Sequence, residues 1–126
     1  TTRGSGRPIK ILLVEDHGDT AQTTRDLLES LGHRVKIAGD VAEALHAANR
    51  EEFDLLISDL GLPDRSGLEL MQEIRQSGQD LKGIALSGFG REDDVIRSKD
   101  AGFEEHLTKP VDLDTLEASM ERVITD

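Results

Sequence analysis

Apolar residues recur along the chain in five short runs: "IKILLV" (9–14), "RVKIA" (34–38), "FDLLIS" (53–58), "GIALS" (83–87) and "EHLT" (105–108). The first, third and fourth are nearly continuous, the pattern of strands covered on both faces, whereas the second alternates as an edge strand does. The fifth has Leu107 as its only large apolar residue and is read as a strand from its position among the others. Helical periodicity fills the gaps between them. Asp19 is placed to cap a first helix whose face is Ala21, Thr24, Leu28 and Leu31, with Gly32 as its stop. Asp40 with Glu43 and Ser66 with Glu69 have capping-box spacing and open the second and third helices. Leu68, Met71 and Ile74 form the buried stripe of the third, which Gly78 ends. The fourth, "REDDVIRSKDAG", is polar and offers Val95, Ile96 and Ala101 as its apolar side. Asp112 caps the last, where Leu113, Leu116, Met120 and Val123 repeat at helical spacing.

Strict strand–helix alternation over five units predicts an α/β fold with right-handed crossovers and helices on both faces of a parallel sheet. Five strands in this length favour the flavodoxin-like, doubly wound order 2-1-3-4-5. With 126 residues there is one domain, and 36% apolar but 2% aromatic residues make its core aliphatic. The opening "TTRGSGRP" is small, polar and Gly-rich, so residues 1–7 are read as linker and 8–126 as the folded domain. The absence of cysteine excludes disulfides and thiolate metal sites and fits a reducing, cytoplasmic setting. No apolar run approaches the roughly 18 residues of a membrane span, and no signal peptide is present. Twenty-six acids against 15 bases give a net charge of −11, a field that repels nucleic-acid phosphates and anionic lipid. Neither nucleic acid nor membrane is an expected partner.

In such a sheet, ligands bind beyond the carboxyl ends of the strands, at the switch point between strands 1 and 3. Strand 1 ends in Glu15-Asp16, strand 3 in Asp59, strand 4 in Ser87-Gly88, and strand 5 runs into Lys109-Pro110. Taken singly these are common: an acidic pair is usually a helix-capping turn, and Lys-Pro a turn. Together they bring three carboxylates, a hydroxyl and an amine to one edge. Crowded carboxylates resist joint ionisation unless a cation joins them, and an all-oxygen donor set suits Mg²⁺ or Mn²⁺. In this reading Asp16 and Asp59 are direct ligands, Glu15 acts through water and the Gly61 carbonyl completes the protein side. Three carboxylates against one divalent ion and Lys109 come to about zero charge. A phosphoryl group then fits between metal and ammonium, cradled by Ser87 and the backbone around Gly88. Asp59 is the natural nucleophile.

The stretches "ILLVED", "DLLISDLGLPDRSGLEL", "ALSG" and "HLTKPVDLDTL" resemble the receiver (response-regulator, CheY-like) domains of bacterial two-component signalling, over roughly residues 8–124. The resemblance implies that Asp59 takes a phosphoryl group from a partner's phosphohistidine with Mg²⁺ present. It also implies that Glu15 and Asp16 bind the metal, that Lys109 contacts the phosphoryl group and that Ser87 is the switch hydroxyl. The partner would be a histidine kinase or a histidine phosphotransfer domain, docking on the first helix and the loop after strand 5. A cis Lys109–Pro110 bond is expected, because Lys109 must point back over the site while the chain turns into the last helix.

Two positions depart from the family. The place three before the lysine, commonly Tyr or Phe, holds His106, which is either a switch residue of altered chemistry or an exposed strand-end histidine. The second residue after Asp59 is Gly61, without a side chain to position hydrolytic water. His17, His33 and His46 lack ligand spacing and are read as surface residues. Alternatives are a small Mg²⁺-dependent phosphohydrolase, a degenerate receiver serving as an interaction module, and a flavin-binding flavodoxin. The first lacks a second acid at Gly61 and a substrate cap, the second is opposed by retention of all five site residues, and the third by the absence of Trp and Tyr. As an isolated domain the chain is thus expected to be a phosphoacceptor rather than an enzyme. The Met-less, linker-like start and the end just past the last helix suggest a receiver of a hybrid histidine kinase.

Overall fold

A computed structural model describes residues 8–88 and 92–124. The apolar runs form β1 (Lys10–Val14), β2 (Arg34–Ala38), β3 (Leu55–Asp59), β4 (Lys82–Ser87) and β5 (Glu105–Thr108). They alternate with α1 (Gly18–Ser30), α2 (Val41–Arg50), α3 (Gly67–Gln76), α4 (Glu92–Ala101) and α5 (Leu113–Ile124). All four strand pairings are parallel, in the order β2-β1-β3-β4-β5, which is the doubly wound arrangement expected. The linker expected over 1–7 lies outside the described residues.

Successive strand residues point to opposite faces, so one continuous apolar run feeds two cores. Leu12, Val14, Leu56 and Ala85 pack with Val41 and Ala44 of α2 and with Leu70, Met71 and Ile74 of α3. Ile11, Leu13, Leu55, Ile57, Ile84 and Leu86 pack with Leu28 of α1 and with Leu116, Met120 and Val123 of α5. Each fully buried Leu or Ile contributes about 1.5–3 kcal/mol, so β1 and β3, buried along almost their whole length, form a stiff base for the residues at their ends. β2 is an edge strand whose outer residues stay exposed. The Lys109–Pro110 bond is cis, as expected.

The helices depart from expectation in register. The cap of α1 is His17 rather than Asp19: the helix begins at Gly18, immediately after the acidic pair, and the Ala21 N–H already donates to the His17 carbonyl. Asp19 therefore lies in the first turn, where its charge complements the helix dipole. Asp40, Ser66 and Asp112 do cap α2, α3 and α5, accepting from the N–H groups of Glu43, Leu68 and Thr115. In α4 the inward side is Ser98 and Ala101, while Ile96 is 52% exposed. A buried serine is tolerated because its hydroxyl donates to the Val95 carbonyl one turn back. Leu68 and Leu113 are only half-buried, and Leu70 rather than Leu68 completes the α3 stripe. His33 is not a plain surface residue: half-buried, its Nδ1 accepts from the Ile9 N–H at 3.2 Å, and burial pushes its pKa down.

Candidate functional site

Four chain segments leave the sheet on one edge, and backbone hydrogen bonds carry the ladder past the strands to hold them there. The Glu15 N–H donates to the Ala38 carbonyl, that of Leu60 to Leu86, and that of Lys109 to Ser87. Glu15, Asp59 and Ser87 are thereby fixed at the rim, all buried. Helix α3 closes the loop behind Asp59. Its first residue, Gly67, donates to the Leu60 carbonyl, and a Cβ at Gly67 would lie 2.2 Å from the Asp59 carbonyl oxygen, so only glycine permits this approach. The tip of the same loop is tied to α2 by Asp64, whose carboxylate accepts from the N–H groups of Val41 and Ala42 at 2.9 and 3.0 Å. Those are two of the donors that a helix start leaves without intrahelical partners. Nothing in the sequence reading singled out Asp64; its signal was the acid in the "GLPDRSG" turn.

Lys109 bridges the two buried carboxylates, with Nζ 2.7 Å from Glu15 Oε1 and 2.7 Å from Asp59 Oδ2. Glu15 Oε2 accepts from the His17 backbone N–H at 3.1 Å, and the His17 ring Nδ1 is 3.0 Å away. The acids therefore titrate apart. Burial acts to raise the Glu15 carboxyl, but hydrogen bonds from Lys109 and His17 more than offset it and hold its pKa below the ordinary value. Asp59 is pushed up, first by burial and then by the Glu15 charge, with Lys109 opposing. Burial alone would lower the Lys109 ammonium, yet its two carboxylate partners hold it above its usual value. The His17 imidazole, raised by its hydrogen bond to Glu15 and by the Asp16 charge, was missed as part of this cluster. Its position two residues after Glu15, at a strand-to-helix turn, was the available signal.

One ligand atom from each of Glu15, Asp16, His17 and Asp59 lies within 4.8 Å of the other three. Three carboxylates of this spacing, with Asp16 open to solvent, are a donor set that accepts a small hard cation and its waters. Gly61 lies two residues past Asp59 on an exposed part of the loop, paired with Ser66 across the loop's base, and a Cβ there would meet only open space. Gly88 is likewise exposed and unobstructed.

On the β4–β5 side, Ser87 sits one residue beyond Leu86, the register partner of Asp59. His106 is half-buried, with Nε2 2.9 Å from Ser87 Oγ. His106 is thus half-buried and in contact with Ser87 rather than an exposed strand-end residue. Burial pushes its pKa down, and the Asp94 charge on α4 opposes this.

Residues 11–121 match the response regulator receiver domain family. The chain belongs to that family and is a receiver domain of two-component signalling. It is 40% identical over 104 residues to an uncharacterized 14.6 kDa protein in the sodA1 3′ region of Leptolyngbya boryana, covering 81% of this chain and 79% of that one. It is 32% identical over 119 residues to the sensor histidine kinase RcsC of Salmonella typhimurium, covering 94% of this chain but only 13% of the kinase. Among solved structures, the chemotaxis protein CheY4 of Vibrio cholerae superposes with a TM-score of 0.88 at 28% identity, covering 93% of this chain and 99% of that one. No helix among the described residues is long and apolar enough to cross a membrane.

Proposed function

We propose that Asp59 is the phosphoacceptor of a two-component phosphorelay, within a receiver unit spanning residues 8–126. The observation that carries this is the Lys109 bridge, which holds Asp59 and Glu15 side by side and buried on one ammonium. In the transfer, an Asp59 carboxylate oxygen forms a bond to phosphorus as the phosphorus–nitrogen bond of a partner's phosphohistidine breaks, and the released imidazole nitrogen takes up a proton. Phosphoryl transfer depends mostly on positioning and charge neutralisation. Lys109 supplies one cation in place. Glu15, Asp16 and Asp59, with the Gly61 carbonyl, would hold Mg²⁺ or Mn²⁺, which supplies the remaining positive charge against the phosphoryl oxygens. Ser87 and the Gly88 backbone would hydrogen-bond the transferred group.

The donor would be a histidine kinase or a histidine phosphotransfer domain. Similarity to a 13% segment of a sensor kinase supports a kinase within the same polypeptide. A groove of about 560 Å³ runs between α1 and the β5–α5 turn, lined by Leu13, Leu27, Val111 and Leu116, and it reaches Glu15 and Lys109. A helix bearing the donor histidine, seated there, would point at Asp59. The chain is a stoichiometric acceptor in this reading, since Gly61 leaves no side chain to act as general acid for rapid turnover.

Intact-mass spectrometry after incubation with acetyl phosphate and Mg²⁺ tests the assignment. Wild type should gain one labile phosphoryl group, and Asp59→Asn or EDTA-treated protein none. A modification that persists in Asp59→Asn refutes it.

A further inference from the structure

Among the described residues, β2 has β1 on one side and no strand on the other. In a parallel ladder both backbone groups of a residue turn to the same side, and successive residues alternate. The Arg34 N–H donates to the Ile9 carbonyl, and the Ala38 carbonyl accepts from the Glu15 N–H. Arg34, Lys36 and Ala38 therefore serve β1, while Val35 and Ile37 turn their N–H and C=O groups outward. A groove of about 520 Å³ runs along this outer edge, between α1 and Glu51 at the end of α2.

The side chains of the groove are sorted by face. Lys10 and Arg34 are register partners, and Lys36, two residues on, shares their face. On the opposite face Val35 and Ile37 lie half-buried against the core beneath α1 and α5, with Gln22 and Arg25 of α1 beside them. Four cations thus line the groove against one acid, in a chain whose acids outnumber its bases 26 to 15. That acid, Glu51, is already divided between Lys10 at 2.5 Å and Lys36 at 3.9 Å. Arg34 is exposed and has no acidic partner among the described residues. Arg25 gives one Nη2 hydrogen to Gln22 Oε1 at 2.6 Å, but its Nε is shut off from solvent with no acceptor, an arrangement that costs free energy until an acceptor arrives.

We propose that this edge docks an extended acidic segment of a partner protein, which alternates acidic and apolar residues and adds to the sheet beside β2. The backbone of the segment pairs with the outward groups of Val35 and Ile37, the mode by which exposed sheet edges take up peptides. Its acids lie over Arg34 and Lys36, whose spacing of two residues matches the alternation of a strand. Its apolar residues extend the face of Val35 and Ile37, beside Arg25. Lysine and arginine on an edge also discourage pairing between like chains, so the same charges that select an acidic strand turn away a basic one. The edge lies across the sheet from β5, and the proposal is independent of the phosphoacceptor reading.

The test titrates ¹⁵N-labelled chain with a short blocked peptide alternating glutamate and valine, and with its counterpart carrying lysine for glutamate. The acidic peptide should give saturable NMR shifts at the Val35 and Ile37 amides and at the Arg25 Nε–H, and the lysine peptide none. Binding should also slow hydrogen exchange at the Val35 and Ile37 amides. Arg34→Glu exchanges an attraction for a repulsion and should raise the dissociation constant about 5-fold or more. Val35→Pro removes one outward N–H and no charge, a change that an edge strand tolerates, and should weaken binding by a similar factor. Absence of a saturable shift overturns the proposal and leaves the cations as guards against edge pairing. Equal binding of the two peptides overturns it too, since the edge is then blind to charge. Unchanged hydrogen exchange, or undiminished binding by Val35→Pro, reduces the contact to a charge attraction without strand pairing and overturns it as well. So do shifts of the same amides when the chain alone is concentrated, because the edge then takes a second copy.

Discussion

At the β1–β3 half of the carboxyl edge, two buried carboxylates share one ammonium. At the β4–β5 half, a buried hydroxyl and a half-buried imidazole share one hydrogen bond. The two halves hang from the same sheet but are held by different physics. Burying an ion carries a desolvation cost of several kcal/mol, offset only by close and well-placed partners. Here both carboxylates depend on the same ammonium, so neither can be rearranged without the other. A hydroxyl–imidazole bond is worth about 1 kcal/mol net and can be rearranged by a single proton or a nearby anion. The charged half is therefore the costlier to disturb, and the neutral half the easier to rearrange.

Removing Lys109 should give the largest effect. Lys109→Ala leaves Glu15 and Asp59 together without their ammonium, and breaking a buried ion pair on one side costs about 3 kcal/mol. Urea denaturation at neutral pH should show a loss of that size, with Mg²⁺ restoring part of it. The sign with pH follows from the acids. Without the ammonium, the carboxyl already raised in the fold, Asp59, rises further. A raised carboxyl penalises the fold only above its unfolded pKa, so the deficit should shrink as pH falls into the ordinary carboxylate range. A loss that is unchanged by both pH and Mg²⁺ would mean that Lys109 matters for packing rather than for charge.

Asp59→Asn should move stability the other way. Asp59 is the acid whose pKa the fold raises, so its ionised form is a liability at neutral pH. The substitution leaves Glu15 and Lys109 as a balanced pair. A gain of about 1 kcal/mol is expected, the usual size for a single stabilising substitution. It should be present at neutral pH and vanish near the ordinary aspartate pKa, where wild-type Asp59 is also protonated. A less stable Asp59→Asn protein would show that Lys109 already compensates both acids in full.

Much of this contrast was legible in the sequence, for a definite reason. Strand ends are fixed by short apolar runs, and in a doubly wound sheet the carboxyl ends of β1, β3, β4 and β5 must share an edge. Glu15, Asp59, Ser87 and Lys109 could therefore be brought together without coordinates. What stayed hidden depended on rotation or on pairs distant in sequence. Whether Ile96 or Ser98 faces inward is a matter of helical phase in a helix with few apolar residues to set it. The ties from Asp64 to α2 and from Ser87 to His106 join residues 22, 23 and 19 positions apart, and periodicity carries no record of them. His17 stands two residues after Glu15 at a strand-to-helix turn, and the rotation that brings its ring to the Glu15 carboxylate leaves no trace in periodicity.

The smallest expected effect lies in the neutral half and sharpens the contrast most directly. Ser87→Ala removes one hydroxyl from a hydrogen bond between uncharged groups and opens little space. The loss should be about 1 kcal/mol, and His106, half-buried rather than enclosed, can turn its nitrogen toward water. No group with a raised or lowered carboxyl pKa changes partner, so the loss should be constant through the carboxylate range and insensitive to Mg²⁺. Denaturation curves of Ser87→Ala and Lys109→Ala, run side by side with and without Mg²⁺, read the difference. If Ser87→Ala shows the same recovery on acidification or metal addition as Lys109→Ala, the two halves are one electrostatic unit, and the division between a charged half and a neutral half is wrong.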